Sequence, residues 1–364
     1  MYFTLCTHPN ACSDLPVPTG IATATGCALP WRFVDITTVA DDLIVAHDGM
    51  AVARLEHLEP DTTYAVFGQE ITTLSRPDGA LLCRIGTVND VHFGEVECGS
   101  VDDHPDGPIQ RAAPGERPYP DTMNAAAVSE MLAADLSAVI VKGDLSVDGR
   151  PEEWDAFEAC YRDAFGQRLH VVRGNHDSYH QQSSYAGDEW IELPGACIAL
   201  LDTAIPGETT GRISAEQLDW LDTRASESDR PVMVMGHHQQ WLSGNRSDDY
   251  FGLHPDASDG LAEVIARRAV IVAYTAGHTH RHRVRHMSSG VPSVEIGCVK
   301  DFPGTWAEYR VYEGGITQVV HRISSREALS WSERCRHLYS DFGIDYEHYA
   351  LGTLEERCFN IPLR

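Results

Sequence analysis

From Leu81 to about Ser325 the chain alternates short apolar β-type runs with stretches of helical pattern, and no other feature limits its fold so strongly. The runs are LLCRIGTVND, AVIVKGD, RLHVVRGNHD, ACIALLDTA, PVMVMGHH and AVIVAYTAGHTH. Between them lie TMNAAAVSEMLAAD, PEEWDAFEACYRDAFG, SAEQLDWLDT and SDGLAEVIARR, which read as helices. This alternation predicts an α/β domain with buried sheets. VPSVEIGCV, WAEYRVYE and ITQVVHRIS read as antiparallel strands, and the residues from Arg326 onward as mainly amphipathic helix.

Residues 1–80 follow another pattern. WRFVDITT, LIVAHDG and MAVARLEHL are β-type runs separated by polar turns, with no helical period. LEPDTTYAVF spaces Leu58, Pro60, Thr62 and Tyr64 as in the tyrosine corner of a β-sandwich. The stretch resembles a fibronectin type III domain; the alternative is an irregular β extension of the main domain. The expected division is therefore 1–80, a small N-terminal β-sandwich-like domain; 81–325, the α/β domain; and 326–364, a helical extension. Residues 94–121 form a long Gly/Pro-rich, acidic connection, the kind that is either functional or disordered.

Charge narrows the partners. With 54 acidic against 28 basic residues the net charge is −26, which repels nucleic-acid backbones and anionic lipid. No apolar run reaches the roughly 18 residues a membrane span needs. The N-terminus has neither the basic start nor the apolar stretch of a signal peptide. Ten cysteines without a C-x-x-C pair read as reduced thiols, so the expected compartment is the cytoplasm.

Five of the β-type runs end in the same chemistry. They deliver Asp90 and His92; Asp144; Asn175, His176 and Asp177; His237 and His238; and His278 and His280. In α/β sheets, ligands bind beyond the carboxyl ends of the strands, so these ends converge. Four of the five fragments carry a glycine just before the candidate ligand, as a chain turning tightly toward a bound group requires. Carboxylates, an amide and imidazoles without thiolate suit divalent Mn, Fe, Zn or Co. A single D-x-H is common by chance; the ordered set is not.

That set, D-x-H, G-D, G-N-H-D, G-H and G-H-x-H across about residues 82–300, resembles the calcineurin-like metallophosphoesterase superfamily. The resemblance implies a four-layer α-β-β-α sandwich with a binuclear metal centre at the sheets' carboxyl edges. It implies Asp90, His92 and His280 on one ion, Asn175, His237 and His278 on the other, and Asp144 bridging. His237 is chosen over His238 because the first histidine of such a pair is the family's usual ligand. The implied reaction is in-line attack by a hydroxide bridging the ions, with His176 as general acid and Asp177 orienting it; a helix cap is the plainer role for Asp177.

The branch can be narrowed on the same terms. Purple acid phosphatases place a ligand tyrosine where this chain has Val147, and calcineurin-type protein phosphatases carry GDxVDRG and GNHE where this chain has GDLSVDG and GNHD. LDTAIPGETTGRISAEQLDWLD resembles the bacterial branch holding class III cyclic-nucleotide phosphodiesterases and glycerophosphodiesterases. The expectation is a phosphodiesterase of small substrates such as 3′,5′-cyclic nucleotides. The alternatives are a phosphomonoesterase of the same superfamily and a non-catalytic metal-binding interaction platform like the superfamily's retromer subunit. Trp241, Tyr250 and Phe251 are candidates to stack on a base or leaving group, with core or lid packing as the alternative, and His238 is a candidate substrate contact. His282, His286 and Arg283 read as a solvated strand face. The N-terminal module is an alternative seat of function, docking a partner or forming a homodimer.

Overall fold

The computed structural model describes residues 3–5 (backbone only), 34–100, 109–242 and 251–364. The N-terminal strands are β1 Phe3–Leu5, β2 Asp35–Val39, β3 Leu43–Asp48, β4 Ala51–Glu56, β5 Thr63–Val66 and β6 Gln69–Thr72. The α/β part continues with β7 Leu81–Val88, α1 Tyr119–Ala133, β8 Ala138–Lys142 and α2 Pro151–Phe157. A π-helical turn leads from α2 into α3 Asp163–Phe165, followed by β9 Leu169–Val172, β10 Glu189–Leu193, β11 Ala196–Leu200 and α4 Ala215–Glu227. Next come β12 Val232–Met235, α5 Pro255–Arg267, β13 Ile271–Ala276, β14 Arg283–His286, β15 Pro292–Glu295, β16 Thr305–Tyr312 and β17 Gly315–Arg322. The chain closes with α6 Arg326–Cys335, α7 Tyr346–Leu351, α8 Leu354–Arg357 and β18 Phe359–Pro362.

Two six-stranded mixed sheets form the centre, ordered β10-β11-β12-β13-β15-β14 and β18-β17-β16-β7-β8-β9. Their inner faces meet through Ile85, Ile140 and Tyr309 on one side and Ile198, Met233 and Val294 on the other. Helices α4 and α5 cover the outer face of the first sheet through Leu221, Leu261 and Ile265. Helices α1, α2 and α6 cover the second through Met123, Phe157 and Trp331. This is the four-layer α-β-β-α sandwich. Local sequence supports each layer: Ser214 and Gln217 form a capping box at the start of α4, and Pro255 sits at the first position of α5, where a missing N–H costs nothing.

Three local expectations need correction. β15 pairs parallel with β13 and antiparallel with β14, because β14, a short polar strand without a sequence signal, returns beside it. The C-terminal residues do not end as helix: β18 joins the edge of the second sheet against β17. His282 is buried, its ring nitrogens near the Gly297 N–H and the Thr305 hydroxyl, each at 3.2 Å, while Arg283 and His286 remain exposed.

In the N-terminal region β2, β3 and β4 form an antiparallel meander, to which the backbone of β1 adds at the β4 edge. The separate hairpin β5–β6 follows, and the Tyr64 hydroxyl accepts a hydrogen bond from the Glu59 N–H at 2.9 Å. Leu43 and Val45 pack with Val319 and Cys358 of the second sheet. Arg357 donates to the carbonyls of Ile36 and Thr37 at 2.7 and 3.0 Å.

Candidate metal centre

The loops after β7, β8, β9, β12 and β13 meet at one edge of the sandwich. There Asp90, His92, Asp144, Asn175, His237, His278 and His280 come together. Ligand-type atoms of Asp90, His92 and His280 lie within 4.8 Å of one another, and so do those of Asp90, Asp144 and His237. His237 Nε2 is 3.3 Å from Asp144 Oδ2, 3.0 Å from Asn175 Oδ1 and 3.2 Å from His278 Nδ1. On the other side, His92 Nε2 is 3.4 Å from Asp144 Oδ2, and His280 Nε2 is 3.6 Å from Asp90 Oδ1. Asp144 therefore stands between the two groups.

The backbone bends to reach this arrangement. Asp90, His92, Asp144, His278 and His280 all sit at positive φ, between 47° and 68°. Such conformations cost a non-glycine residue on the order of 1–3 kcal/mol each and cluster at functional sites. Beside the glycines that precede them, the candidate ligands themselves thus carry left-handed backbone. Gly143 does both jobs: its φ is +87°, and a Cβ there would lie 2.5 Å from the His237 ring. At Gly174 the need is space, because a Cβ would meet Asp144 Oδ1 at 2.2 Å.

Second contacts aim the imidazoles. His237 Nδ1 faces the Lys142 carbonyl at 2.8 Å, and His278 Nε2 faces the Phe251 carbonyl at 2.9 Å. Behind His92 and His280 stand carboxylates instead, with Glu95 Oε2 3.8 Å from His92 Nδ1 and Asp301 Oδ2 3.6 Å from His280 Nδ1. Asn175 donates its amide to the Tyr179 hydroxyl at 2.6 Å, leaving Oδ1 toward the centre.

The electrostatics call for a cation. Asp90 and Asp144 are fully buried, and among the described residues no Lys or Arg pairs with either within 4.0 Å. Burial disfavours a charged His237, yet the Asp144 and Asp90 carboxylates override it and raise its pKa to about 9. Burial also opposes a charged His280, and carboxylate partners including Asp90 again win. Burial, helped by the Lys300 ammonium, pushes His92 down to about 4, and burial beside His237 pushes His278 down to about 3. Both ring nitrogens of His92 are buried without a hydrogen-bond partner. Leaving buried polar atoms and carboxylates in this condition is costly, and a divalent cation removes the cost. The residues fit such ions: hard carboxylate and amide oxygens with imidazole nitrogens, and no thiolate among the seven.

The second-shell expectations fare unevenly. His176 lies at the cavity wall, with its N–H donating to Asp144 Oδ1 at 3.0 Å. Its ring is held through Nδ1 by the Val147 carbonyl at 2.8 Å. Asp177 does not orient that ring. Its carboxylate accepts from the N–H groups of Leu145, Ser146 and Gly174 and from the Ser146 hydroxyl, at 2.6–3.0 Å. It thereby ties the Asp144 turn to the Asn175 turn. His238 faces Thr203 Oγ1 at 2.8 Å and the Thr209 carbonyl at 3.2 Å, turned away from the cavity wall. Trp241 is buried, its backbone N–H donating to Ser258 Oγ at 2.9 Å, and does not line the cavity either. Tyr250 lies outside the described residues.

The cavity over the centre measures about 650 Å³, within the range of small-molecule sites. Beyond the candidate ligands its wall includes Arg150, Tyr179, Phe251, Lys300 and Tyr339. Lys300, which binds Glu95 at 2.6 Å, and Asp301 were missed in the sequence. The rule applied to five strand ends would have found them, since VPSVEIGCVKD is a sixth run ending in charge.

A helix-flanked double sheet, with buried carboxylate, amide and imidazole donors at its carboxyl edge, defines the class of metal-dependent phosphoester hydrolases. The calcineurin-like phosphoesterase family model matches residues 83–282, more than half of the chain, and the protein belongs to that family. It is 32% identical over 149 residues to a probable cyclic nucleotide phosphodiesterase of Synechococcus sp., a match covering 39% of this chain and 57% of that relative. It thus spans less than two thirds of that relative's length. A probable glycerophosphodiester phosphodiesterase of Arcobacter nitrofigilis is 26% identical over 218 residues, covering 52% of this chain and 79% of the relative. A crystal structure of a dimetal phosphatase from Danio rerio superposes with a TM-score of 0.53 at 16% identity, covering 67% of this chain and 98% of that one, and shows the shared fold. No helix among the described residues is long and apolar enough to cross a membrane.

Proposed function

We propose that this protein is a phosphodiesterase of small substrates, 3′,5′-cyclic nucleotides among them, working with two divalent metal ions. One observation carries the reading: seven donor side chains from five separate loops converge on a buried volume whose carboxylates have no Lys or Arg partner among the described residues. In this reading Asp90, His92 and His280 hold one ion, Asn175, His237 and His278 hold the other, and Asp144 is shared. Bound there, such ions supply Lewis-acid activation of the phosphoryl group and of water.

The chain's own residues do the rest. His176 donates an Nδ1–H hydrogen bond to the Val147 carbonyl, so Nε2 is the nitrogen free to deliver a proton to the leaving oxygen. Asp177 keeps the Asp144 and Asn175 turns in register. Tyr179 and Phe251 offer apolar wall to the ester's organic part. Diester preference is supported by the relatives' names, two of which describe phosphodiesterases. The reading also places the protein in the cytoplasm, treats residues 1–80, 81–325 and 326–364 as separate parts, and allows the first of these to mediate a homodimer.

The test is paired turnover of an aryl phosphodiester and its monoester with added Mn²⁺, by wild type and His176→Ala. Diester turnover should exceed monoester turnover, and the variant should lose on the order of 10²–10⁴-fold. Monoester preference would move the protein to the phosphatases. No metal-dependent turnover of either would favour the interaction platform.

A further inference from the structure

We propose that the C-terminal segment Tyr346–Gly352 is a working part of the metal site, bracing the His278–His280 loop, with Asp301 as the positioning residue behind His280. The proposal rests on the reading that Asp90, His92 and His280 hold an ion.

Three successive contacts join the segment to that loop. The Tyr349 hydroxyl donates to the carbonyl of Thr279, the residue between the two imidazoles, at 3.0 Å. The His282 N–H donates to the Ala350 carbonyl at 3.1 Å. Gly352 lies so close that a Cβ on it would sit 2.4 Å from the His282 carbonyl oxygen. A fourth contact is relayed. The Tyr346 hydroxyl donates to the buried Asp301 carboxylate at 3.0 Å, and that carboxylate faces His280 Nδ1 at 3.6 Å. The opposite ring nitrogen, Nε2, faces Asp90 at 3.6 Å.

The geometry separates support from ligation. An imidazole presents one nitrogen to an ion, and His280 turns Nε2 toward the candidate ligands. Asp301 sits on the other edge, where a carboxylate fixes the tautomer, sets the ring plane and makes the ligating nitrogen more basic. Asp301 is itself held, accepting from Tyr346 and from Cys298 Sγ at 3.0 Å, with Lys300 Nζ 3.8 Å away. The loop needs such external support because His278 and His280 stand at φ of +68° and +54°. Within the loop the Thr279 N–H donates to the Gly277 carbonyl at 2.8 Å, and the brace adds support to the same residue from 70 residues away in sequence.

The experiment uses the full chain, stripped with a chelator and titrated with Mn²⁺ by calorimetry, together with the visible absorption of the Co²⁺-loaded form. His92→Ala checks the underlying reading and should remove one ion. Asp301→Asn should weaken the same ion roughly 10–100-fold and change the Co²⁺ bands. Tyr346→Phe and Tyr349→Phe should act in the same direction by about 3–10-fold, each having lost one hydrogen bond. Thermal melts of the metal-free variants separate this from misfolding; if Asp301→Asn melts far below wild type, Tyr346→Phe decides. Wild-type Mn²⁺ affinity in the tyrosine variants and unaltered Co²⁺ bands, while His92→Ala loses an ion, would overturn the brace and leave the metal reading standing. Retention of both ions by His92→Ala would overturn the reading itself.

Discussion

Two regions of this molecule bury carboxylates, and they neutralise them in opposite ways. Where the β2–β3 turn meets the second sheet, Arg310 binds Asp41, Asp42 and Glu308 at 2.6, 2.8 and 3.2 Å. Arg84 reaches Glu308 at 2.5 Å, Arg76 pairs with Asp41, and His321 meets Glu308 at 3.0 Å. Every anion there has a covalently attached cation. At the loop edge, among the described residues, Asp90 and Asp144 have only imidazoles within ion-pairing distance. Two buried ammoniums stand nearby: Lys142 donates to the Ala276 carbonyl at 3.2 Å, burial bringing its pKa down to about 7, and Lys300 pairs with Glu95 at 2.6 Å. A charge cluster that closes on itself is structural; one left open for a diffusible cation is where chemistry can occur.

The contrast can be broken most severely at the open cluster. Asp144→Asn should lower metal-dependent turnover by at least about 10³-fold and reduce Mn²⁺ stoichiometry, while the chelated variant unfolds at a denaturant midpoint close to wild type. A large loss of metal-free stability would mean that Asp144 is structural after all. Arg310→Met inverts the pattern. It removes the cation shared by Asp41, Asp42 and Glu308, leaving Arg76 on Asp41 and Arg84 and His321 on Glu308, and should cost up to about 3–5 kcal/mol in denaturant melts, with Mn²⁺ affinity unchanged. Loss of metal in that variant would show that the two clusters are coupled.

The closed cluster also carries a pH signature. Burial would raise the Glu308 pKa, but His321, Arg310 and Arg84 outweigh it and bring it to about 2 from 4.5. A depressed folded-state pKa means stability that is present above pH 4.5 and lost as pH falls toward 2. At about 1.4 kcal/mol per unit the contribution is on the order of 3 kcal/mol. Melts of wild type and Glu308→Gln at pH 7, 4.5 and 2.5 should show a difference that shrinks with acidity; a constant difference would remove the linkage. Taken per site, the effect of the cation itself is the smallest expected. Mn²⁺ at a hundred times its dissociation constant should stabilise the wild type by about 2.7 kcal/mol per site and Asp144→Asn much less, read as a shift in melting temperature.

Much of this was legible before any coordinates. The strand–helix alternation predicted an α/β domain with buried sheets because periodicity reports which faces are buried; the four-layer stacking came from the family resemblance. The choice of seven donors among ten candidate residues rested on the family resemblance, but the gathering of all ten at one edge was legible because strand ends point one way, so residues there share a neighbourhood whatever the loops do. Orientation was not. Asp177 follows His176 in the chain and was expected to serve it, yet a neighbour in sequence points elsewhere, and a carbonyl 29 residues away, that of Val147, holds the ring. His282 looked like one more member of a surface histidine row until β14 and β15 closed over it.

The sequence by itself determined the central strands and helices and the candidate donors at their ends, since these depend on residue type and local spacing. Only the tertiary structure decided which nitrogen of each imidazole faces inward, which carboxylates stay without a cation, and that Asp301, Tyr346 and Tyr349 stand behind the His278–His280 loop. Those facts depend on directions between segments distant in the chain. No local pattern encodes such directions, because a side chain's partners are set by how whole layers pack.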